Sequence, residues 1–128
     1  MIRLVRQISH CKSTAHALGL RAEQAACAAL ESDGWVILAR RVRTPAGEVD
    51  VVAEKNGLLA IVEVKARPHL AVAAGSLSDR QRSRLLAAAE ILLGGHPEWG
   101  RAGVRFDILA VDARGCVRRI ADAFRAEE

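Results

Sequence analysis

The chain has 128 residues, 51% hydrophobic and 27% charged, a length and mixture that support one buried core and exclude intrinsic disorder. Net charge is +4 and the pI is near 9.5, a basic balance that admits a polyanionic partner and is equally compatible with coding bias. No run reaches the ~18 apolar residues of a membrane span and residues 1–12 lack the apolar stretch of a secretory signal, so a cytoplasmic location is expected. Residues 1–12 are basic and without period, which suggests a loose arm. Residues 14–33 carry Leu18, Ala22, Ala25, Ala26, Ala29 and Leu30 on one helical stripe, with Gly34 suited to end it. Residues 35–43 read as a strand and 44–47 as a turn. Strands follow at 47–55 and 58–66, joined by Asn56-Gly57, a strong hairpin signal. Pro68 ends the second of them, and 69–76 reads as a loop.

Residues 76–95 form a second helical pattern, with Ser78 or Asp79 near its start and Gly94-Gly95 to stop it. Residues 104–112 alternate as a strand, and 116–124 add an edge strand. The expected architecture is a single α/β domain in the order α-β-β-β-α-β-β. Cys11, Cys27 and Cys116 are scattered, and an odd, unclustered set argues against a disulfide framework or a zinc site and for a reducing compartment.

Charge is oddly placed in the hairpin GEVDVVAEKNGLLAIVEVKAR, residues 47–67. A two-residue turn sets Lys55 opposite Leu58, hence Asp50 opposite Glu63 and Glu48 opposite Lys65. Alternation then puts Glu48, Asp50, Val52, Ile61, Glu63 and Lys65 on one face, and Val49, Val51, Ala53, Ala60, Val62 and Val64 on the other. Like charges directly opposed across a ladder are destabilising. A hard divalent cation compensates them, since Mg²⁺ is commonly held by one or two carboxylates. Lys65 then reaches the same pocket to steady an attacking hydroxide or a phosphate oxygen. The other reading is a solvated polar face with Glu48–Lys65 as an ordinary cross-strand ion pair. Glu23, at the edge of the first helix's apolar stripe, is either a third acid for that pocket or a boundary residue turned to solvent.

Asp50 followed by Glu63-Val64-Lys65 resembles the D…E-x-K arrangement of the PD-(D/E)XK restriction-endonuclease-like superfamily. The run GLRAEQAACAALESDGWVILARRVRTPAGEVDVVAE, followed by LLAIVEVKAR, RLLAAAEILL and VRFDILAV, resembles the YraN-like family of small bacterial proteins over residues 19–112. That family is marked by a Gly-x-x-x-Glu helix start, a G-E-[IV]-D strand and an [FV]-V-E-V-K-x-R strand. The chain is also similar to archaeal Holliday-junction resolvases, which share a helix glutamate ahead of D…E-x-K. The resemblance implies a mixed central β-sheet flanked by helices. It implies that Glu23, Asp50 and Glu63 hold Mg²⁺ or Mn²⁺ with the Val64 carbonyl, and that Lys65 generates or positions the nucleophilic water. Glu48 would pair with Lys65 or Arg67. The family's second-helix lysine is Gln81 here, for which bonding a phosphate or orienting water remains, and its asparagine after the first-strand arginine is Arg41.

Two functions follow as expectations. The first is a metal-dependent endonuclease on DNA rather than RNA, with branched or structured DNA of repair or recombination as candidate substrate. Arg40, Arg41, Arg43, Arg67, Arg80, Arg82 and Arg84 would contact phosphate, a sequence-independent and salt-sensitive contribution. The second is a non-catalytic nucleic-acid-binding adaptor on a nuclease fold, serving a helicase or other DNA-processing partner. A homodimer would suit two-strand cleavage. Trp35, Trp99, Phe106 and Phe124 are too few for a base-stacking platform.

Overall fold

The computed structural model describes residues 5–7, 22–66 and 78–124. In chain order they form β1 (Val5–Gln7), α1 (Ala22–Ser32), β2 (Val36–Thr44), β3 (Gly47–Lys55), β4 (Leu58–Ala66), α2 (Asp79–Gly95), β5 (Gly103–Val111) and β6 (Val117–Phe124). The six strands make one mixed sheet in the order β1-β6-β5-β4-β3-β2. Among the described strands only β4 and β5 run parallel, the pairing that a crossover through α2 permits. Setting β1 aside, the order is the expected α-β-β-β-α-β-β, a restriction-endonuclease-like arrangement. No described helix is long and apolar enough to cross a membrane.

The two helices bury opposite faces of the sheet. Ala25, Ala26, Cys27, Ala29 and Leu30 of α1 pack on Val51, Ala53, Ala60, Val62, Leu109, Val111 and Val117. Leu85, Ala88, Ala89 and Leu92 of α2 pack on Val49, Val52, Leu59, Ile61, Phe106, Ile108 and Ile120. With both faces covered, β4 and β5 are buried along most of their length. α1 ends where Gly34 takes φ 90 and Trp35 N–H bonds back to the Leu30 carbonyl at 3.0 Å, a glycine-dependent helix stop.

Several boundaries differ from those read in the sequence. Part of the expected loose arm is a strand: Val5–Gln7 pairs with β6, from Val5↔Ile120 to Gln7↔Arg118. β6 therefore lies inside the sheet instead of at its edge. Gly94 and Gly95 belong to the last turn of α2, which is capped at His96. The first-helix residues 14–21 and the loop 69–76 lie outside the described residues. The scattered cysteines also behave unexpectedly. Cys116 is disulfide-bonded, while buried Cys27 is free.

The hairpin keeps its expected register, from Lys55↔Leu58 to Val51↔Val62. Asn56 and Gly57 both have positive φ, 53 and 79, the two-residue turn whose twist matches the strands. Strict alternation fails at one place. Val49 packs on the α2 side with Val52, not on the α1 side with Val51 and Ala53. Its β2 partner Val42 packs on the α2 side as well. Between these pairs stand Asp50 and Arg41, and Arg41 has φ 49. A left-handed residue resets which face follows, so both strands reverse together while their register is kept. Asparagine tolerates that conformation better than arginine, which gives a backbone reason for the asparagine expected at position 41.

Candidate metal and phosphate site

Beyond Val51↔Val62 the hairpin's ladder gives way to a side-chain contact. The Val64 N–H donates to Asp50 Oδ2 at 2.8 Å, so the carboxylate takes the place of a strand carbonyl. Asp50 is thereby fixed against β4, beside the segment that carries Glu63 and Lys65. Those two project from β4 toward α2, and each is only 7% exposed. Lys65 Nζ lies 3.5 Å from Glu63 Oε2. Arg84 Nη2, from α2, straddles both Glu63 oxygens at 3.4 Å.

Burial pushes the Asp50 carboxyl up from its ordinary 3.8 to about 6. The Val64 N–H pulls it back, and the negative charges of Glu63, Glu23 and Glu48 add to the rise. The sign follows by linkage. A carboxyl raised in the fold binds its proton more tightly there than in the unfolded chain, so its contribution to stability is complete below about pH 4 and is lost as pH rises through about 6. In metal-free buffer, urea unfolding should show stability falling across that window. Asp50→Asn should flatten the fall and raise stability at neutral pH, since the amide oxygen still accepts from Val64.

The other residues singled out in the sequence divide into three groups. Glu23 sits near enough to act on Asp50 but is held by Arg41, whose Nη2 and Nε donate to Glu23 Oε1 at 2.8 and 3.2 Å. Among the described residues, no three of His, Cys, Asp and Glu gather closely enough to ligate one ion. Glu48 departs from the expected Lys65 pairing: it faces Arg43 on β2, with Arg43 Nε at 3.6 Å from its Oε2. Gln81 is spent locally. Its Oε1 accepts from the Ser78 N–H at 2.8 Å while its own N–H bonds to Ser78 Oγ at 3.2 Å, a capping box that starts α2. Arg40, Arg43 and Arg80 are exposed, Arg82 is half-buried, and Arg67 lies outside the described residues.

Arg84 is the residue whose place the sequence did not reveal. Its stem lies flat across Gly47, where an added Cβ would come within 2.5 Å of its Cδ and 2.6 Å of its Cγ. Gly47 also has φ 140, so that position suits glycine on both counts. The buried Nε of Arg84 has no hydrogen-bond partner.

Asp50 and Glu63 supply two carboxylates on adjacent strands, the ligand type a hard divalent cation takes, and burial, with the neighbouring acids adding to it, is what raises Asp50. The model for the uncharacterised protein family UPF0102 matches residues 22–111, from α1 to the end of β5. The chain belongs to this family. The UPF0102 match spans Glu23, Asp50, Glu63, Lys65 and Arg84. A UPF0102 protein of Granulibacter bethesdensis is 62% identical over 110 residues, covering 86% of this chain and 70% of that protein. A UPF0102 protein of Azorhizobium caulinodans is 48% identical over 116 residues, covering 91% and 88%. One from Acidiphilium cryptum is 46% identical over 110 residues, covering 86% and 85%.

Proposed function

We propose that the chain is a metal-dependent phosphodiesterase of the PD-(D/E)XK type, acting on DNA. The reading is carried by one observation: Asp50, fixed through Val64, beside a buried Glu63 with a buried lysine on it. Asp50 and Glu63 would hold Mg²⁺ or Mn²⁺ with the Val64 carbonyl. A bound divalent cation acidifies water and neutralises charge on a scissile phosphate. Lys65 is kept from solvent and aligned by Glu63, so its ammonium can orient a water or stabilise an equatorial phosphate oxygen. Glu23 would join the set once Arg41 releases it. Exposed Arg40, Arg43 and Arg80 would meet phosphates further along the backbone, contacts that carry affinity without sequence preference.

A second reading, a nucleic-acid-binding adaptor without catalysis, is favoured by a single feature: the Gln81 amide is committed to the helix cap. The two readings separate in one experiment. Labelled duplex, single-stranded, flap and four-way-junction DNA are incubated with Mg²⁺ or Mn²⁺, with wild type beside Asp50→Ala. Cleavage that requires metal and falls by about 10²-fold or more in the variant is the expected result. DNA binding with no cleavage, and no metal uptake by calorimetry, would sink the phosphodiesterase reading in favour of the adaptor.

A further inference from the structure

We infer that Arg84 is the phosphate-binding residue of this site, parked on Glu63 in the free protein and handed to a phosphodiester when a divalent cation takes Glu63. The inference rests on the metal-site reading and adds to it a residue on α2.

Three observations carry it. The first is the weakness of the contact Arg84 makes. A strong arginine–carboxylate pair is a fork, with two nitrogens on two oxygens at about 2.7–2.9 Å. Here a single nitrogen is shared by both oxygens at 3.4 Å, and the buried Nε has no partner. A donor that is buried and unused costs stability unless some acceptor completes it. The second is the path. The stem crosses Gly47 where any side chain would collide with it, while a third of the side chain stays exposed, so the guanidinium is delivered to the pocket but not sealed in it. The third is charge. In the free protein Lys65 and Arg84 both sit on Glu63, with Asp50 fixed beside it through Val64. A divalent cation on those acids leaves both basic groups in surplus, and the anion that restores balance is the one a planar guanidinium fits best, a phosphate oxygen pair.

The consequence is a split in sign. Arg84 competes with metal for Glu63 but binds the phosphate. In Arg84→Ala, Mn²⁺ affinity measured by calorimetry should rise roughly tenfold, because a like charge has left the ion's neighbourhood. With saturating Ca²⁺ on the acids, binding of a fluorescein-labelled duplex should weaken and its dependence on salt should lose about one counterion, whereas in EDTA, where Arg84 stays on Glu63, the variant should bind the duplex much as wild type does. Arg84→Lys keeps the charge and should return Mn²⁺ affinity to near the wild-type value while recovering only part of the DNA affinity. Circular dichroism and the thermal midpoint show which variants are folded, and Arg84→Gln replaces any that is not. The inference fails if Arg84→Ala weakens Mn²⁺ and DNA binding together, since that is what a residue propping Glu63 in place would do. It also fails if the salt slope with Ca²⁺ is unchanged. Absence of Mn²⁺ uptake by wild type is a different result: it overturns the metal site itself, and this assignment with it.

Discussion

Arg119→Met is expected to remove roughly 3–5 kcal/mol of stability, the usual cost of stripping one partner from a buried ion pair. Arg119 is fully buried on β6, and its Nε and Nη2 both donate to Asp107 Oδ2 on β5, at 2.9 and 2.5 Å. Its Nη1 reaches Asp33 Oδ2 at 3.3 Å, and its guanidinium carbon lies 4.5 Å from the centre of the Trp35 ring. Trp35 Nε1 donates to the same Asp33 oxygen, and Arg105 shares the ring at 5.0 Å. The network thus joins the end of α1 and the start of β2 to the β5–β6 pair across the α1 face of the sheet. Methionine fills much of the arginine's volume, so the loss is electrostatic and not a cavity. Arg105, with its Nε 3.2 Å from Asp107 Oδ1, holds the effect near the lower end of that range. Urea unfolding should show a lower midpoint with an unchanged slope. The double replacement Arg119→Met with Asp107→Leu should recover most of the loss, because it leaves no orphaned charge. If the single variant unfolds like wild type, the network is not the brace described here.

How much of this was legible beforehand depends on which physical signal each residue gives. The hairpin was read at its observed bounds because Asn56-Gly57 dictates a two-residue turn, and the turn dictates the register. With the register came the neighbourhood of Asp50, Glu63 and Lys65. Period counting then misplaced Val49, since alternation assumes that no residue between 49 and 51 changes the backbone's handedness. The left-handed conformation that breaks the rule sits on the neighbouring strand, at Arg41, where arginine gives no sign of it. The local role of Gln81 had a signal of its own: Ser78-x-x-Gln81 is a capping signature, and its amide oxygen accepts from the Ser78 N–H. Arg84 was read as one of several phosphate contacts, and its seat on Glu63 was not legible, because a helix pattern shows which face is apolar but not what lies across from its border. Gly47, read in the sequence as the end of a turn, is what lets that border residue reach Glu63. Arg119 gave even less warning, because a strand read as an edge does not ask for a buried cation. The unseen element was β1, which covers β6 and turns it into an interior strand.

Lys65→Ala should lower metal-dependent cleavage by about 10²–10⁴-fold, the range for a positioned proton-transfer or charge-stabilising group, while leaving Mn²⁺ uptake intact. The two effects separate because Lys65 is not a ligand. It lies 3.5 Å from Glu63 Oε2, and its removal takes a competing positive charge from the carboxylate. The buried glutamate is not left bare, since Arg84 remains on both of its oxygens, so the folded state survives the substitution. Lys65→Arg should not rescue cleavage. At a site where the lysine is 7% exposed the bulkier guanidinium has to displace its neighbours, and the two cations are not interchangeable where a point charge is required. Calorimetry with Mn²⁺ and single-turnover cleavage on the same preparations measure the two quantities side by side. A structural salt bridge makes the opposite forecast, with lower stability and cleavage unaffected per folded molecule. Full cleavage by Lys65→Ala would therefore remove the lysine from the chemistry and leave Glu63–Lys65 as an ion pair of the core.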